Sequence, residues 1–163
     1  MDLGRLNAFL DEAQFVLVRT DFSDDAAWDG LVNALREPLD VGDGSDGYEP
    51  LIDVFEDPAL AGATPAQISD GLATAFGPDE ERMGALMIAD ADSMLDRAHA
   101  TVVMMALGDD GNYERTGHGR TFRCVLSEVA TIDANLSIAN MDFCEYADSA
   151  GDDGVFRGFA DQL

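Results

Sequence analysis

Residues 85–89 are Ala-Leu-Met-Ile-Ala, and residues 101–107 are Thr-Val-Val-Met-Met-Ala-Leu. Both runs are apolar and lack the alternation of a half-exposed strand, which is typical of strands buried on both faces of a sheet. Residues 15–18, Phe-Val-Leu-Val, form a third such run, and residues 51–55 and 120–125 are further predicted strands. We therefore expect about five strands in one sheet.

Amphipathic segments lie between these strands and begin with helix-start signals. Thr64-Pro65-Ala66-Gln67 has a capping Thr, a Pro at the first helical position and a Gln three residues after the cap. Ser23 and Ser127 are the expected caps of two other helices, and Asp142 with Glu145 forms a second capping box. Strands that alternate with helices predict an α/β fold, here a three-layer sandwich around a mostly parallel sheet with helices on both faces.

The segments between these elements contain turn residues but no domain linker. Gly77-Pro78 is the expected end of the helix that starts after Thr64, and residues 40–47 and 108–119 are expected loops. No internal repeat divides the chain, so residues 1–163 are expected to form a single domain.

The charge of the chain is its most unusual property. Acidic residues number 33 and basic residues 9, a net charge of −24, and all nine basic residues are Arg. Such a surface repels nucleic acid and anionic membranes, because both are bound through Lys and Arg. Three explanations stay open: a saline cytoplasm, a genome that favours Arg and Asp codons, or a functional acidic face that docks a basic partner or mimics DNA. The acids are spread along the chain, which favours the first two over a DNA mimic.

No run of about 18 apolar residues is long enough for a membrane helix, and the first residues lack a signal-peptide pattern. We therefore expect a cytoplasmic protein. Cys124 and Cys144 are too few for a metal site, and Cys124 lies in a predicted strand as a small buried side chain. The absence of Lys excludes a Walker lysine and a Schiff-base lysine.

Three longer motifs connect the chain to a known family. They are residues 19–28 (Arg-Thr-Asp-Phe-Ser-Asp-Asp-Ala-Ala-Trp), residues 135–143 (Asn-Leu-Ser-Ile-Ala-Asn-Met-Asp-Phe) and residues 154–159 (Gly-Val-Phe-Arg-Gly-Phe). In sequence, order and spacing they resemble an uncharacterised bacterial domain family that is common in actinobacteria, a domain of unknown function. The resemblance extends over nearly the whole chain and implies a complete domain, but it implies no activity or ligand.

Aspartates at the ends of predicted strands are the candidate metal ligands. In open α/β sheets, ligands bind beyond the carboxyl ends of the strands. Asp21 follows the first strand, whereas Asp90 and Asp92 follow the third. Carboxylate oxygens are the ligands that Mg²⁺ prefers, so these three residues form a candidate Mg²⁺ site. The competing explanation is that such aspartates stabilise helix starts through the helix dipole.

Arginines inside the family motifs are the candidate binding residues. Arg19, Arg123 and Arg157 are expected to pair with Asp21 and Asp142. Such pairs either dock the C-terminal segment onto the sheet or form an anion-binding pocket, and the structural role is favoured.

Asn135 and Asn140 complete the candidate binding residues, because Asn is a poor helix-interior residue and each is expected to make a specific hydrogen bond. Asn140 is also expected to end its helix in the left-handed conformation. Since no catalytic motif is present, we expect a non-enzymatic interaction module, of immunity or accessory type, that binds a basic protein. The alternative is a metal- or anion-binding domain.

Overall fold

The computed structural model describes residues 3–39, 47–75, 84–108 and 118–159. The strands are β1 (Phe15–Arg19), β2 (Ile52–Phe55), β3 (Ala85–Ala89), β4 (Thr101–Ala106), β5 (Thr121–Val125) and β6 (Val155–Phe156). The helices are α1 (Gly4–Leu10), α2 (Asp25–Leu35), α3 (Pro65–Ala75), α4 (Leu126–Ser137) and α5 (Phe143–Asp148), with 3₁₀ turns at Pro58–Leu60 and Ala91–Met94. None of the helices in these four ranges is long and apolar enough to cross a membrane.

The strands form one sheet in the order β2-β1-β3-β4-β5-β6. β1 is parallel to β2 and β3, and β5 is parallel to β6, but β4 is antiparallel to both of its neighbours. A mixed α/β fold with a mostly parallel sheet is therefore confirmed, with six strands in place of about five. Residues 90–100 connect β3 to β4 through one 3₁₀ turn, which is too short for the helical crossover that a parallel pair needs.

Side chains of the central strands alternate between two hydrophobic cores. Leu17, Met87 and Met104 belong to the first core, which includes residues of α2, α4 and α5. Their chain neighbours, such as Val18 and Ile88, belong to the second core, which includes residues of α1 and α3. This burial on both sides explains why the strand sequences are continuous apolar runs. Cys124 lies in the first core, where burial raises the pKa of its thiol.

Two of the predicted helix starts differ from the structure by a few residues. The cap of α2 is Asp24, whose carboxylate accepts from the Ala27 N–H at 2.9 Å, and not Ser23. Ser127 does not cap α4, because β5 continues directly into the helix and Val125 occupies the cap position. The capping box at Thr64 is confirmed, since Thr64 and Gln67 exchange side-chain and backbone hydrogen bonds. Gly77-Pro78 and almost all of 40–47 and 108–119 lie outside the described residues.

The end of α4 is closed by Ala139 and not, as predicted, by a left-handed Asn140. Ala139 has a φ of 51°, and its N–H donates to the Leu136 carbonyl at 3.2 Å. The Asn140 N–H donates to the Asn135 carbonyl at 3.0 Å, which completes a Schellman motif. The Asn140 side chain donates to the Asn135 Oδ1 at 2.8 Å, so both asparagines act in this helix end.

Replacing Ala139 by Gly is expected to stabilise the protein by about 1 kcal/mol, because Gly adopts a positive φ without the steric cost of a Cβ. Ala134→Gly, inside α4, is the matched control and is expected to destabilise by about 1 kcal/mol. Urea unfolding of both variants measures the two changes. The same sign for both substitutions would contradict the left-handed assignment of Ala139.

Candidate functional site

The polar residues of interest lie at the carboxyl edge, the sheet edge where β1, β2, β3, β5 and β6 end and β4 begins. Because these five strands run in one direction, the residues that follow them meet at this edge. Arg19 ends β1, Glu56 follows β2, and Asp90 follows β3. Arg123 lies in β5, two strands away from β3.

Arg19 is a charged side chain buried at the end of β1, with 3% of its surface exposed. Its Nη2 donates to Asp25 Oδ1 at 2.7 Å, and its Nη1 donates to Glu56 Oε2 at 3.0 Å. The guanidinium also lies 4.6 Å from the centre of the Phe22 ring and 5.0 Å from the Trp28 ring. These contacts compensate for the lost hydration of the cation, and they join the ends of β1 and β2 to the start of α2.

Asp21 does not pair with Arg19 through its carboxylate, as the sequence had predicted. Arg19 Nε donates instead to the backbone carbonyl of Asp21 at 2.8 Å. The Asp21 carboxylate accepts from the N–H of Ser23 at 2.8 Å. Hydrogen bonds from the Ser23 side chain and backbone lower the pKa of Asp21, so this carboxylate stays charged at neutral pH.

Arg123 contacts both of the aspartates that follow β3. Its Nη1 donates to Asp90 Oδ1 at 3.2 Å and to Thr101 Oγ1 at 3.1 Å, and its Nη2 donates to Asp90 Oδ2. The Nη2 atom also lies 3.2 Å from Asp92 Oδ2. A guanidinium therefore occupies the position beside Asp90 and Asp92 that the sequence analysis considered for a cation.

Arg157 and Asp142, the remaining members of the predicted network, have other partners. Arg157 is half exposed and forms a two-pronged ion pair with Asp153, at 2.7 and 3.1 Å. Hydrogen bonds from Arg157 lower the pKa of Asp153 to about 2. Asp142 starts α5 in the predicted capping box, where its N–H donates to Glu145 at 2.8 Å. Each of the three arginines thus has its own carboxylate partners.

Two long-range contacts carry no signal in the sequence. Tyr48 donates its hydroxyl to Asp133 of α4 at 2.6 Å, and burial raises the pKa of Asp133. His118 has Nδ1 at 2.6 Å from the Leu107 carbonyl and Nε2 at 2.9 Å from the Ser69 carbonyl. Through these two contacts His118 joins α3 to the residue that follows β4.

A cleft of about 610 Å³ lies at the carboxyl edge, between the ends of β1 and β3 and the start of α3. We call it the switch-point cleft, because the chain leaves β1 for β2 on one side and returns to β3 on the other. It is lined by Thr20, Asp21, Phe22, Ser23, Ala61, Gly62, Ala63, Thr64, Pro65, Asp90 and Ala91. Asp21 and Asp90 therefore share a cleft, as the hypothesis of a site at the strand ends requires.

Asp92, the third predicted metal ligand, does not line the switch-point cleft. Across the four described ranges, no group of three or more His, Cys, Asp and Glu side chains is arranged to hold a metal ion. The Mg²⁺ site remains a prediction, and its remaining basis is the pair Asp21 and Asp90.

A second cleft, of about 510 Å³, lies near the end of β5 and is lined by α2, α4 and the segment before β4. We call it the arginine cleft, because Arg97 and Arg157 both line it. Arg157 is one of the predicted binding residues. Arg97 is not, because it lies in a polar turn that contains no motif. Arg97 pairs with Glu37, which follows α2.

Replacing the buried Arg19 by Lys is expected to lower the free energy of unfolding by about 1–3 kcal/mol, because an ammonium does not reproduce three directed hydrogen bonds and two ring contacts. Arg5→Lys is the matched control, since Arg5 is exposed and pairs only with Asp57 among its described contacts. Its stability is expected to change little. Equal losses in urea unfolding of the two variants would show that Arg19 has no special structural role.

Comparison with curated proteins and with solved structures gave no match. A family model described as a domain of unknown function, DUF6924, matches residues 14–159. The matched range includes all six strands, four of the five described helices and every residue discussed at the carboxyl edge except Arg5. The chain therefore belongs to the DUF6924 family, as its resemblance to a domain of unknown function had indicated.

Proposed function

We propose that this chain is a non-enzymatic interaction domain of the cytoplasm, of immunity or accessory type, that receives a basic segment of a partner protein in the switch-point cleft. The proposal treats the molecule as a three-layer sandwich, which the two hydrophobic cores support. The observation that carries the proposal is that Asp21 and Asp90 line one cleft whose other walls are largely small and apolar.

The balance of charge around the switch-point cleft favours a cationic ligand. Seven carboxylates follow β1, β2 and β3 at the carboxyl edge, and three arginines pair with members of this set. The carboxylates are Asp21, Asp24, Asp25, Glu56, Asp57, Asp90 and Asp92. Because they exceed their arginine partners, this edge keeps negative charge that a basic partner would neutralise.

The lining of the cleft suits a Lys or Arg side chain. These side chains combine an apolar stem with a charged head, and the cleft combines walls such as Ala61, Ala63 and Pro65 with two carboxylates. Ser23 fixes the carboxylate of Asp21, and Arg123 fixes that of Asp90. Binding would therefore require little ordering of the carboxylates, which lowers the entropic cost of association.

The net charge of −24 supports the same proposal over longer distances. A strongly acidic protein attracts a basic partner before contact and accelerates its association, and salt weakens this attraction. The proposal thus predicts that association slows as ionic strength rises, whereas the apolar contacts inside the cleft are much less affected.

The test is a titration of the ¹⁵N-labelled protein with a peptide of three Arg-Gly-Gly repeats, with a Glu-Gly-Gly peptide as the acidic control. Saturable shifts are expected at the amides of residues 21–23 and 61–64. Asp21→Asn removes the charge but keeps an oxygen that accepts from Ser23, and it is expected to weaken binding about threefold to tenfold. Asp29→Asn removes one exposed charge from α2 and is expected to cost no more than about twofold.

Equal effects of Asp21→Asn and Asp29→Asn would show that the peptide responds only to total charge, and the proposed site would then be wrong. The same titration with MgCl₂, against NaCl at matched ionic strength, tests the alternative of a cation site at Asp21 and Asp90. A saturable Mg²⁺ effect at the amides of both aspartates would favour that alternative. We expect none, because Mg²⁺ requires several oxygen ligands, and no group of three or more His, Cys, Asp and Glu side chains in the described residues is arranged to hold a metal ion.

A further inference from the structure

The arginine cleft has a chemical character opposite to that of the switch-point cleft. Nine of its thirteen lining residues are apolar, among them Leu35, Leu39 and Leu126. Its other lining residues are Ser127 and three charged residues, Glu37, Arg97 and Arg157. A volume of about 510 Å³ is in the range of pockets that enclose small organic ligands.

The charges that line this cleft contrast with the composition of the chain. In the whole sequence acids outnumber arginines by 33 to 9, yet two arginines and one glutamate line the arginine cleft. The switch-point cleft is lined by two aspartates and no arginine. Two clefts at one edge of the sheet thus differ in the sign of their lining charge, so they select ligands of opposite charge.

Both guanidiniums are held in place by ion pairs and still suit an added anion. Arg97 donates from Nη1 and Nη2 to Glu37, and Arg157 donates from the same two atoms to Asp153. A guanidinium has five N–H groups, which is more than one carboxylate accepts, and its planar shape matches carboxylate oxygens. Glu37 lines the cleft, so an incoming anion would compete with it for Arg97.

We propose that the arginine cleft binds a small organic carboxylate, with its anionic group at Arg97 and Arg157 and its apolar body against Leu35, Leu39 and Leu126. The combination of apolar lining residues and two arginines in one cleft carries the proposal. The Ser127 hydroxyl supplies a further hydrogen-bond donor in the same cleft. This site is separate from the switch-point cleft and does not depend on the function proposed for it.

The probe is 4-phenylbutyrate, compared with 4-phenylbutylamine, which has a similar apolar body and the opposite charge. In ¹⁵N spectra the carboxylate is expected to give saturable shifts at residues 34–35, 98–100 and 126–127, and the amine is not. The double variant R97Q/R157Q is expected to weaken carboxylate binding at least about fivefold, since both charged donors are removed. Arg120→Gln is the matched control, because Arg120 pairs with Asp148 and does not line the cleft.

If the double variant folds poorly, Glu37→Gln provides a second test. This substitution removes the anion that competes for Arg97, and it is expected to strengthen carboxylate binding about threefold. The proposal is overturned if the amine shifts the same amides as strongly as the carboxylate. It is also overturned if the carboxylate shifts no amides of the cleft, or if Glu37→Gln leaves its affinity unchanged. Failure here leaves the basic-peptide titration of the other cleft unaffected, so the two proposals fail separately.

Discussion

The central strands bury both of their faces, and this constraint determines where charge is found in the molecule. Every residue of β1 and β3 is buried, and alternate side chains enter cores that contain different helices. Charged groups near these strands therefore lie at the strand ends, where backbone and side chains reach water. Because five of the six strands end at the same edge, the carboxylates that follow β1, β2 and β3 are brought together.

Arginine is the counter-charge that makes this crowded edge stable. Arg19 is buried and joins β1, β2 and α2, whereas Arg123 joins β5 to the residues after β3 across the start of β4. These pairs fix the geometry of the edge but do not neutralise it, since carboxylates remain in excess around the switch-point cleft. The arginine cleft, which Val125 at the end of β5 helps to line, has the opposite lining charge. The two proposed binding activities follow from this unequal distribution.

Local sequence patterns predicted the features that depend on local physics. Continuous apolar runs identified the buried strands, because burial on both faces of the sheet leaves no polar position in them. The capping box at Thr64 was confirmed, because it depends only on side chains and backbone within three residues. The mostly parallel sheet was predicted, but no direction was assigned to β4, which runs antiparallel to both of its neighbours. The carboxylate partners of the arginines were also not predicted. Arg123 pairs with Asp90, 33 residues away in the sequence, and Arg19 pairs with Glu56, 37 residues away. Sequence periodicity carries no information about pairs at such separations. Arg97 does not lie in a recognisable motif, so its position in the arginine cleft could be seen only in the folded structure.

Asp90 and Arg123 form an ion pair, and guanidinium groups thereby fix the arrangement of the carboxyl edge. A double-mutant cycle measures this directly, with Asp90→Asn, Arg123→Met and the combined variant compared by urea unfolding. A partly buried ion pair with two hydrogen bonds predicts a coupling free energy of about 1 kcal/mol or more. Additive effects within about 0.3 kcal/mol would contradict the account, because Asp90 and Arg123 would then act independently.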